Sequence, residues 1–408
     1  MNKQQRVAYF VSVYPARSHT FIRREIDSLT ALGLKIHRFS LRRMCHKELM
    51  DETDFHEFEQ TTAIFPISVV AFLQGAFHFF SQHPLRVMDA LRFSLRIRPP
   101  GCVGFLKSFQ YAVGGIVLAQ LLRRLNINLI HVHFANSGAC IGSIAAKLLG
   151  VKWGISLHGL SDFSSPSVQI LPELIQNASF VRCISRFARS QAMLHSPRDC
   201  WSKIFVAYAG IPDPHFHGET RNSRAHSNPE LTLVTVGRLA PEKAHSLLVK
   251  ACSRLVADGF KFKCLIVGDG PMRSEIERDI SRHKLEGVCI LVGAVPETAV
   301  SSYLVQADVF VLTSLMEGMP QVLMEAMQAG VAVVAPFISG IPELVTDGKD
   351  GLLFMPADEG SLVASLSRLA REKDLRTRLG NAGRLKIDAE FRIRSTINPL
   401  SDVLINFE

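Results

Sequence analysis

Residues 308–336 read DVFVLTSLMEGMPQVLMEAMQAGVAVVAP, and this stretch decides the fold. An apolar run over 309–313 has strand length, and it ends in a short loop, Glu317-Gly318-Met319-Pro320. A helical pattern follows from about Gln321 to Ala329, then a second apolar run over 331–335. Strand, helix, strand in that order is the signature of a parallel α/β sheet. Pro320 suits the first turn of the helix, where its missing N–H costs nothing. Gly318 permits close backbone approach. The helix start then presents a partial positive charge and free N–H groups, a ready site for a phosphate. Glu317 sits beside that start and Glu325 lies in the second turn. A carboxylate accepts two hydroxyl hydrogen bonds at once, as holding a sugar or ribose diol requires. A capping Glu and a surface Glu on an ordinary helix describe the same residues equally well.

Working outward, the same alternation fills the chain. Upstream, strands are expected over 6–13, 35–41, 128–134, 153–158, 180–184 and 204–208, with helices such as Thr20–Leu32, Gly138–Leu149 and Arg186–Leu194 between them. The pattern restarts at 231–237 and continues over 262–267 and 288–292. The polar, aperiodic stretch 212–230 reads as a linker. The expected plan is α/β, with two doubly wound Rossmann-like domains facing a central cleft. The domains cover 1–211 and 231–385, and a C-terminal helical segment over 386–408 packs back toward the first. Region 45–125 is the least strand-like and reads as a helical insertion.

Composition fits this plan. The 408 residues are 47% apolar, with 27 Gly and 19 Pro, which excludes collagen-like and disordered classes. Eight cysteines are scattered without a C-x-x-C pair or zinc-like spacing, so reduced thiols and a cytoplasmic setting are expected. Residues 1–227 carry 26 Lys and Arg against 14 Asp and Glu, whereas 228–408 carry 20 against 23. A basic first half suggests an anionic partner for that half alone. The opening run Arg6–Val13 reads as a strand rather than a secretory leader. Ala63–Phe80 is nearly long enough to span a bilayer, but Pro66, Gln74 and His78 interrupt it, so a buried or interfacial helix is expected.

Two more strand ends carry chemistry. Gly237-Arg238-Leu239, followed by Glu242-Lys243, stands directly after a strand, where such sheets bind phosphates. Arg238 can grip phosphate oxygens in bidentate fashion and Lys243 adds a compact charge. Two fixed cations suffice to neutralise a departing diphosphate, and no D-x-D occurs in the chain, so no metal is expected. His158-Gly159, with Asp162 nearby, ends strand 153–158, where the imidazole is expected to face a ligand. His131 and His133 alternate along an apolar strand and read as ordinary strand residues. Gly268-Asp269-Gly270-Pro271 begins like a dinucleotide fingerprint, but Arg273 occupies the third Gly position, so it reads instead as a tight turn lining a base.

Together these residues resemble the retaining glycosyltransferases of family 4, which have the GT-B fold. The resemblance covers Gly237–Lys243 (G-R-L-x-x-E-K), Gly268–Pro271, Glu317–Glu325 (E-x7-E), Ala326–Gly330, Ser339–Glu343 and Asp347–Leu353. In the first half, Tyr14–Arg24 (YPARSHTFIRR) looks like the opening of exopolysaccharide transferases of the colanic-acid type. The resemblance implies a nucleotide-diphosphate sugar as donor and a glycan or lipid-linked sugar as acceptor, with no cofactor and no nucleic-acid partner. It places the donor on Gly237, Arg238, Lys243, Gly268, Gly270, Glu317, Gly318, Met319, Pro320 and Glu325. By the same resemblance Glu317 meets the sugar, Glu325 the ribose, and Arg238 and Lys243 the diphosphate, while His158 lines the reacting centre. Ser18, His19 and Thr20 replace the Gly-rich loop of many relatives and, with Asp162, mark the acceptor side. A GT-B nucleotide-sugar epimerase and a non-enzymatic anionic-lipid-binding module are the alternatives.

One stretch points to a surface. In Pro84–Arg98, Leu85, Met88, Leu91 and Leu95 recur at helical spacing beside Arg86, Arg92, Arg96 and Arg98. Region 63–98 is therefore expected to dock on anionic membrane, making the protein peripheral on the inner face of the plasma membrane. Packing of those leucines onto the sheet is the alternative.

Overall fold

The computed structural model describes residues 5–16, 19–46, 49, 52–213 and 230–406. Ser18 and most of the expected linker, residues 214–229, lie outside the described residues. The chain divides into two compact units, one of Met1–Ala209 with Thr396–Glu408, the other of Gly210–Ser395.

Among the described residues the first unit holds a seven-stranded parallel sheet. Its strands are β1 (Arg6–Val13), β2 (Lys35–Arg42), β3 (Thr62–Ala63), β4 (Leu129–His133), β5 (Lys152–Leu157), β6 (Phe180–Cys183) and β7 (Ile204–Val206), in the order β3-β2-β1-β4-β5-β6-β7. The second unit holds β8 (Leu231–Val236), β9 (Phe262–Val267), β10 (Cys289–Gly293), β11 (Val309–Val311), β12 (Ala332–Pro336) and β13 (Leu352–Phe354), in the order β10-β9-β8-β11-β12-β13. Each order reverses direction once, between β1 and β4 in the first sheet and between β8 and β11 in the second. Open α/β sheets bind ligands at such switch points, beyond the carboxyl ends of the strands. Strands inside such sheets are buried on both faces by the covering helices: every residue of β4 and β12 is buried, whereas β2 (KIHRFSLR), toward one edge, is polar and partly exposed. The two-residue β3 and the short β13 are too brief to show a pattern.

Region 45–125 is helical over Glu52–Gln60, Val69–Gln82, Pro84–Arg96 and Cys102–Arg124. Ser68 caps the second of these by accepting from the Ala71 amide, so the apolar stretch that begins at Ala63 turns helical only at Val69. Cys102–Arg124 is long and apolar enough to cross a membrane, but 56% of its most apolar window is buried within the unit. It packs tightly on Ser137–Leu149: a Cβ added at Gly115 would lie 2.3 Å from Ile144 Cγ2. That closeness is how a core helix packs.

Two boundaries differ from the sequence reading. Ile211 belongs to the second unit, where its amide donates to Phe391 O and its carbonyl accepts from the Ile393 amide. The carbonyl of Pro212 accepts from Gln328 Nε2 and Arg392 Nη1, both at 2.9 Å. At the other end, helix Lys373–Glu390 runs straight through residue 386, and the second unit extends to Ser395. The contacts that decide these edges join residues about 180 positions apart, invisible to local composition.

Candidate active site

The second unit gathers its expected residues on loops at the carboxyl ends of three neighbouring strands, β9, β8 and β11. Lys243 Nζ lies 2.6 Å from Glu317 Oε1, and Ser314 Oγ donates to the same oxygen at 2.6 Å. The backbone locks the two loops together. Thr313 Oγ1 donates to Lys243 O at 2.9 Å, and the Leu315 amide donates to Glu242 O at 2.8 Å. Glu317 is thereby held at 10% side-chain exposure and Lys243 at 25%. Arg238 is exposed on the loop after β8. The pair and exposed Arg238 stand on the loops that leave β8 and β11, at the switch point of the sheet.

Gly268 and Gly270 are required by backbone proximity. A Cβ at Gly268 would lie 1.9 Å from Gly237 O, and one at Gly270 would lie 2.4 Å from Leu239 O. The Gly237 amide donates to Val267 O and the Leu239 amide to Asp269 O, so the 268–271 turn props up the Arg238 loop. Gly237 itself has open space where its Cβ would be.

Helix Gln321–Gln328 starts where the sequence reading placed it, with Pro320 as its N-cap (ψ 114°) rather than in its first turn, because the preceding loop is extended up to that point. Met319 and Pro320 are buried, Gly318 is half-buried, and Glu325 is half-buried on the helix, where it has a polar partner.

In the first unit His131 and His133 are strand residues as expected, but His158 is more enclosed than the sequence reading had it. His158 is 9% exposed rather than open to a ligand. It stacks on His133 with ring centroids 5.0 Å apart, and Phe21 and Phe134 pack on it at 4.8 and 4.6 Å. His133 Nδ1 and His158 Nε2 are 2.9 Å apart. Beyond them lies a buried ion pair that sequence reasoning missed, Glu25 with Arg182. Tyr9 OH donates to Glu25 Oε1 at 2.8 Å, and Arg182 Nε donates to Ala207 O at 2.9 Å. Both sequence signals existed separately: Glu25 interrupts the inward stripe Ile22, Ile26, Leu29, and Arg182 stands inside an apolar strand.

Burial, reinforced by neighbouring imidazoles and by Arg182, holds His158 well below the ordinary histidine range, and burial does the same to His131 and His133. His133 Nε2 lies 3.6 Å from Glu25, but Arg182 already matches that carboxylate, so His133 stays neutral.

Asp162 is 1% exposed and braces the loops: its Oδ1 accepts from the Ala135 amide at 2.7 Å and its Oδ2 from the His158 amide at 2.6 Å. Burial pushes its carboxyl up to about 6 against those bonds. His19 and Thr20 stand at the start of helix Thr20–Ala31, with His19 against Val13 O at 3.1 Å.

Among the described residues, tertiary structure also assembles two groups with metal-ligand atoms, Cys252 with Cys264 and Cys289, and Glu25 with His131 and His133. The thiols lie inside the apolar core of the second unit. The carboxylate of the other group is neutralised by Arg182, which disfavours a cation there.

Known proteins agree with this architecture. Residues 217–386 match the family "Glycosyl transferases group 1" and residues 104–184 match "Glycosyl transferase 4-like". The chain is 32% identical over 313 residues to the WcaL glycosyltransferase assigned to colanic acid biosynthesis in Salmonella typhimurium, covering 71% of this chain and 73% of that one. It is 29% identical over 323 residues to the amylovoran biosynthesis glycosyltransferase AmsK of Erwinia amylovora, covering 74% and 78%. In fold it is similar to Anabaena Alr3699/HepE, solved in complex with UDP and glucose, with a TM-score of 0.72, 17% identity and coverage of 99% and 100%. Two Rossmann-like units, the matched families and these relatives place the chain among the group 1, family 4-type glycosyltransferases of GT-B fold.

Proposed function

We propose that this glycosyltransferase moves a sugar from a nucleotide-diphosphate donor to a glycan or lipid-linked acceptor in exopolysaccharide or other cell-surface polysaccharide synthesis, with retention of configuration and without a metal. The observation that carries the donor reading is the Lys243–Glu317 pair beside exposed Arg238 at the switch point of the second sheet. In this reading Arg238 and Lys243 take the diphosphate, Glu317 the sugar and Glu325 the ribose. Gly237, Gly318, Met319 and Pro320 shape the wall, and Gly268 and Gly270 support it from behind.

Lys243 serves both partners. Its ammonium has three donors, so it can keep Glu317 oriented toward a sugar hydroxyl while meeting a phosphate oxygen. Charge that builds on the leaving diphosphate is stabilised by these fixed cations, the kind of preorganised electrostatics whose loss costs ~10²–10³ in rate. The acceptor oxygen bonds to the anomeric carbon as the bond to the diphosphate breaks, and the acceptor proton passes to a diphosphate oxygen. His158 is closed beneath Phe21 and Phe134, so no step of the transfer is routed through it. The UDP and glucose bound in HepE and the colanic acid and amylovoran biosynthesis assignments of WcaL and AmsK support this class of donor and acceptor. A nucleotide-sugar epimerase needs a free acid to move a carbon-bound proton; Asp162 and Glu25, the buried acids beside His158 and His133, are both engaged.

The test is turnover of a panel of nucleotide sugars with lipid-linked and soluble glycan acceptors, with and without excess chelator. Product anomers are read by NMR. Retained configuration at an unchanged rate in chelator is expected. Inversion, or abolition by chelator, overturns the proposal.

A further inference from the structure

We infer that the helical insertion of the first unit is a docking platform for an anionic lipid bilayer. The helices Val69–Gln82, Pro84–Arg96 and the first half of Cys102–Arg124 pack on the unit through inward residues such as Ala71, Phe79, Val87, Ala90 and Phe93. Their outward faces are apolar. On the first, Leu73, Phe77 and Phe80 are exposed; on the second, Leu85, Met88, Leu91 and Leu95; on the third, Phe105, Leu106 and Phe109. Phe77 and Leu85 each retain 78% of their surface in solvent. Exposed large apolar side chains concentrated on one set of helices, rather than scattered singly, mark an interaction surface.

The charges around these side chains say what the surface meets. Residues 69–109 contain five Lys and Arg and one acid, Asp89. That acid is already paired with Lys147 Nζ at 2.9 Å, and Arg86 is spent on Leu149 O at 2.7 Å. Arg92 and Arg96 are exposed and make no ion pair among the described residues. An open cavity of about 510 Å³ adjoins the platform, where Arg123 and Arg124 stand beside Gln74, Phe77 and His78. Arg123 is held by Gln120 and Arg124 by Gln74, both neutral amides, and neither guanidinium makes an ion pair among the described residues. Aromatic and aliphatic side chains flanked by unmatched arginines suit the boundary between acyl chains and negatively charged headgroups.

The inference deepens the proposed reading by placing the enzyme at the surface that carries a lipid-linked acceptor. Its test uses neither donor nor acceptor, so it fails or succeeds apart from that reading. The full chain is sedimented with phosphatidylcholine vesicles, with and without phosphatidylglycerol, at low and high salt. Expected is binding to the anionic vesicles alone, weakened by salt. Arg92→Gln with Arg96→Gln should weaken binding about thirty-fold, and Phe77→Ser with Phe109→Ser should abolish it. Because all four side chains are exposed, circular dichroism of both variants should match the parent. Equal binding to neutral and anionic vesicles, or binding to neither, overturns the inference. So does a stable dimer that the Phe variant converts to monomer, which would make the platform a contact between copies of the chain.

Discussion

Lys243 and Glu317, 74 residues apart in sequence, form one ion pair that ties the loop after β8 to the loop after β11. Each was expected from sequence to meet a different part of one ligand; the fold makes each the partner of the other. Lys243→Ala and Glu317→Gln should each lower turnover by ~10²–10³. The double variant should lose at least about ten-fold less than the product of the single losses, because the second change removes an interaction already broken. Glu325→Gln should chiefly raise the Michaelis constant for donor. Steady-state kinetics of the four proteins check this, and strictly multiplicative losses would show that the pair does not act as a unit.

Gly268→Ala should unfold the second unit's loop cluster, since its methyl would enter the space of Gly237 O at a φ of +138°. Gly270→Ala should behave alike. Gly237→Ala has room and should leave thermal stability within about 0.5 kcal/mol of the parent. A loss of donor affinity in that stable variant would then report a ligand close to Gly237. Melting curves with donor titration separate the two effects, and a Gly268→Ala protein of normal stability would contradict this backbone packing.

Arg182→Met should destabilise the first unit by about 3–5 kcal/mol, because it strands the buried Glu25 carboxylate. Adding Glu25→Gln should restore a good part of that loss. Denaturant unfolding measures both, and no recovery in the double variant would mean that Arg182 matters through its bond to Ala207 O instead.

Acid should weaken the first unit. His131, His133 and His158 are held neutral in the folded state by burial, whereas unfolded imidazoles protonate below about pH 6.5. The unfolded chain then binds more protons, so this stability is full above that pH and is lost as pH falls. Asp162, pushed up to about 6, works in the opposite sense between about pH 4 and 6 and offsets about one proton. Near pH 5 the net slope should be about two protons, roughly 3 kcal/mol per pH unit. His131→Gln should reduce it by about one proton. Denaturation midpoints between pH 7 and 5 give the slope, and stability that rises on acidification would refute the assignment.

Much of the site was legible because it is built from strand ends. A strand that stops at Val236 or Val311 delivers the next few residues to the carboxyl edge of the sheet whatever the rest of the chain does, so Arg238, Lys243 and Glu317 could be placed by counting. The roles of Gly268 and Asp162 could not be read that way. Gly268 was expected in a tight turn beside the ligand, and the structure adds that its missing side chain makes room for the Gly237 carbonyl. Asp162 was expected to mark the acceptor side, and its carboxylate accepts from the Ala135 and His158 amides.

The sequence by itself determined the alternation of strands and helices, the two parallel sheets and the residues on the loops after β8 and β11, because periodicity and turn chemistry act over a few residues. It also determined that Leu85, Met88, Leu91 and Leu95 share one face, since 3.6 residues make a turn. Only the tertiary structure decided that this face stays uncovered while Val87, Ala90 and Phe93 turn inward. Only it joined Glu25 to Arg182 across 157 residues and closed His158 beneath two phenylalanines. Burial and ion pairing are set by which distant segments arrive at the same place, and that depends on packing of the whole unit rather than on local sequence.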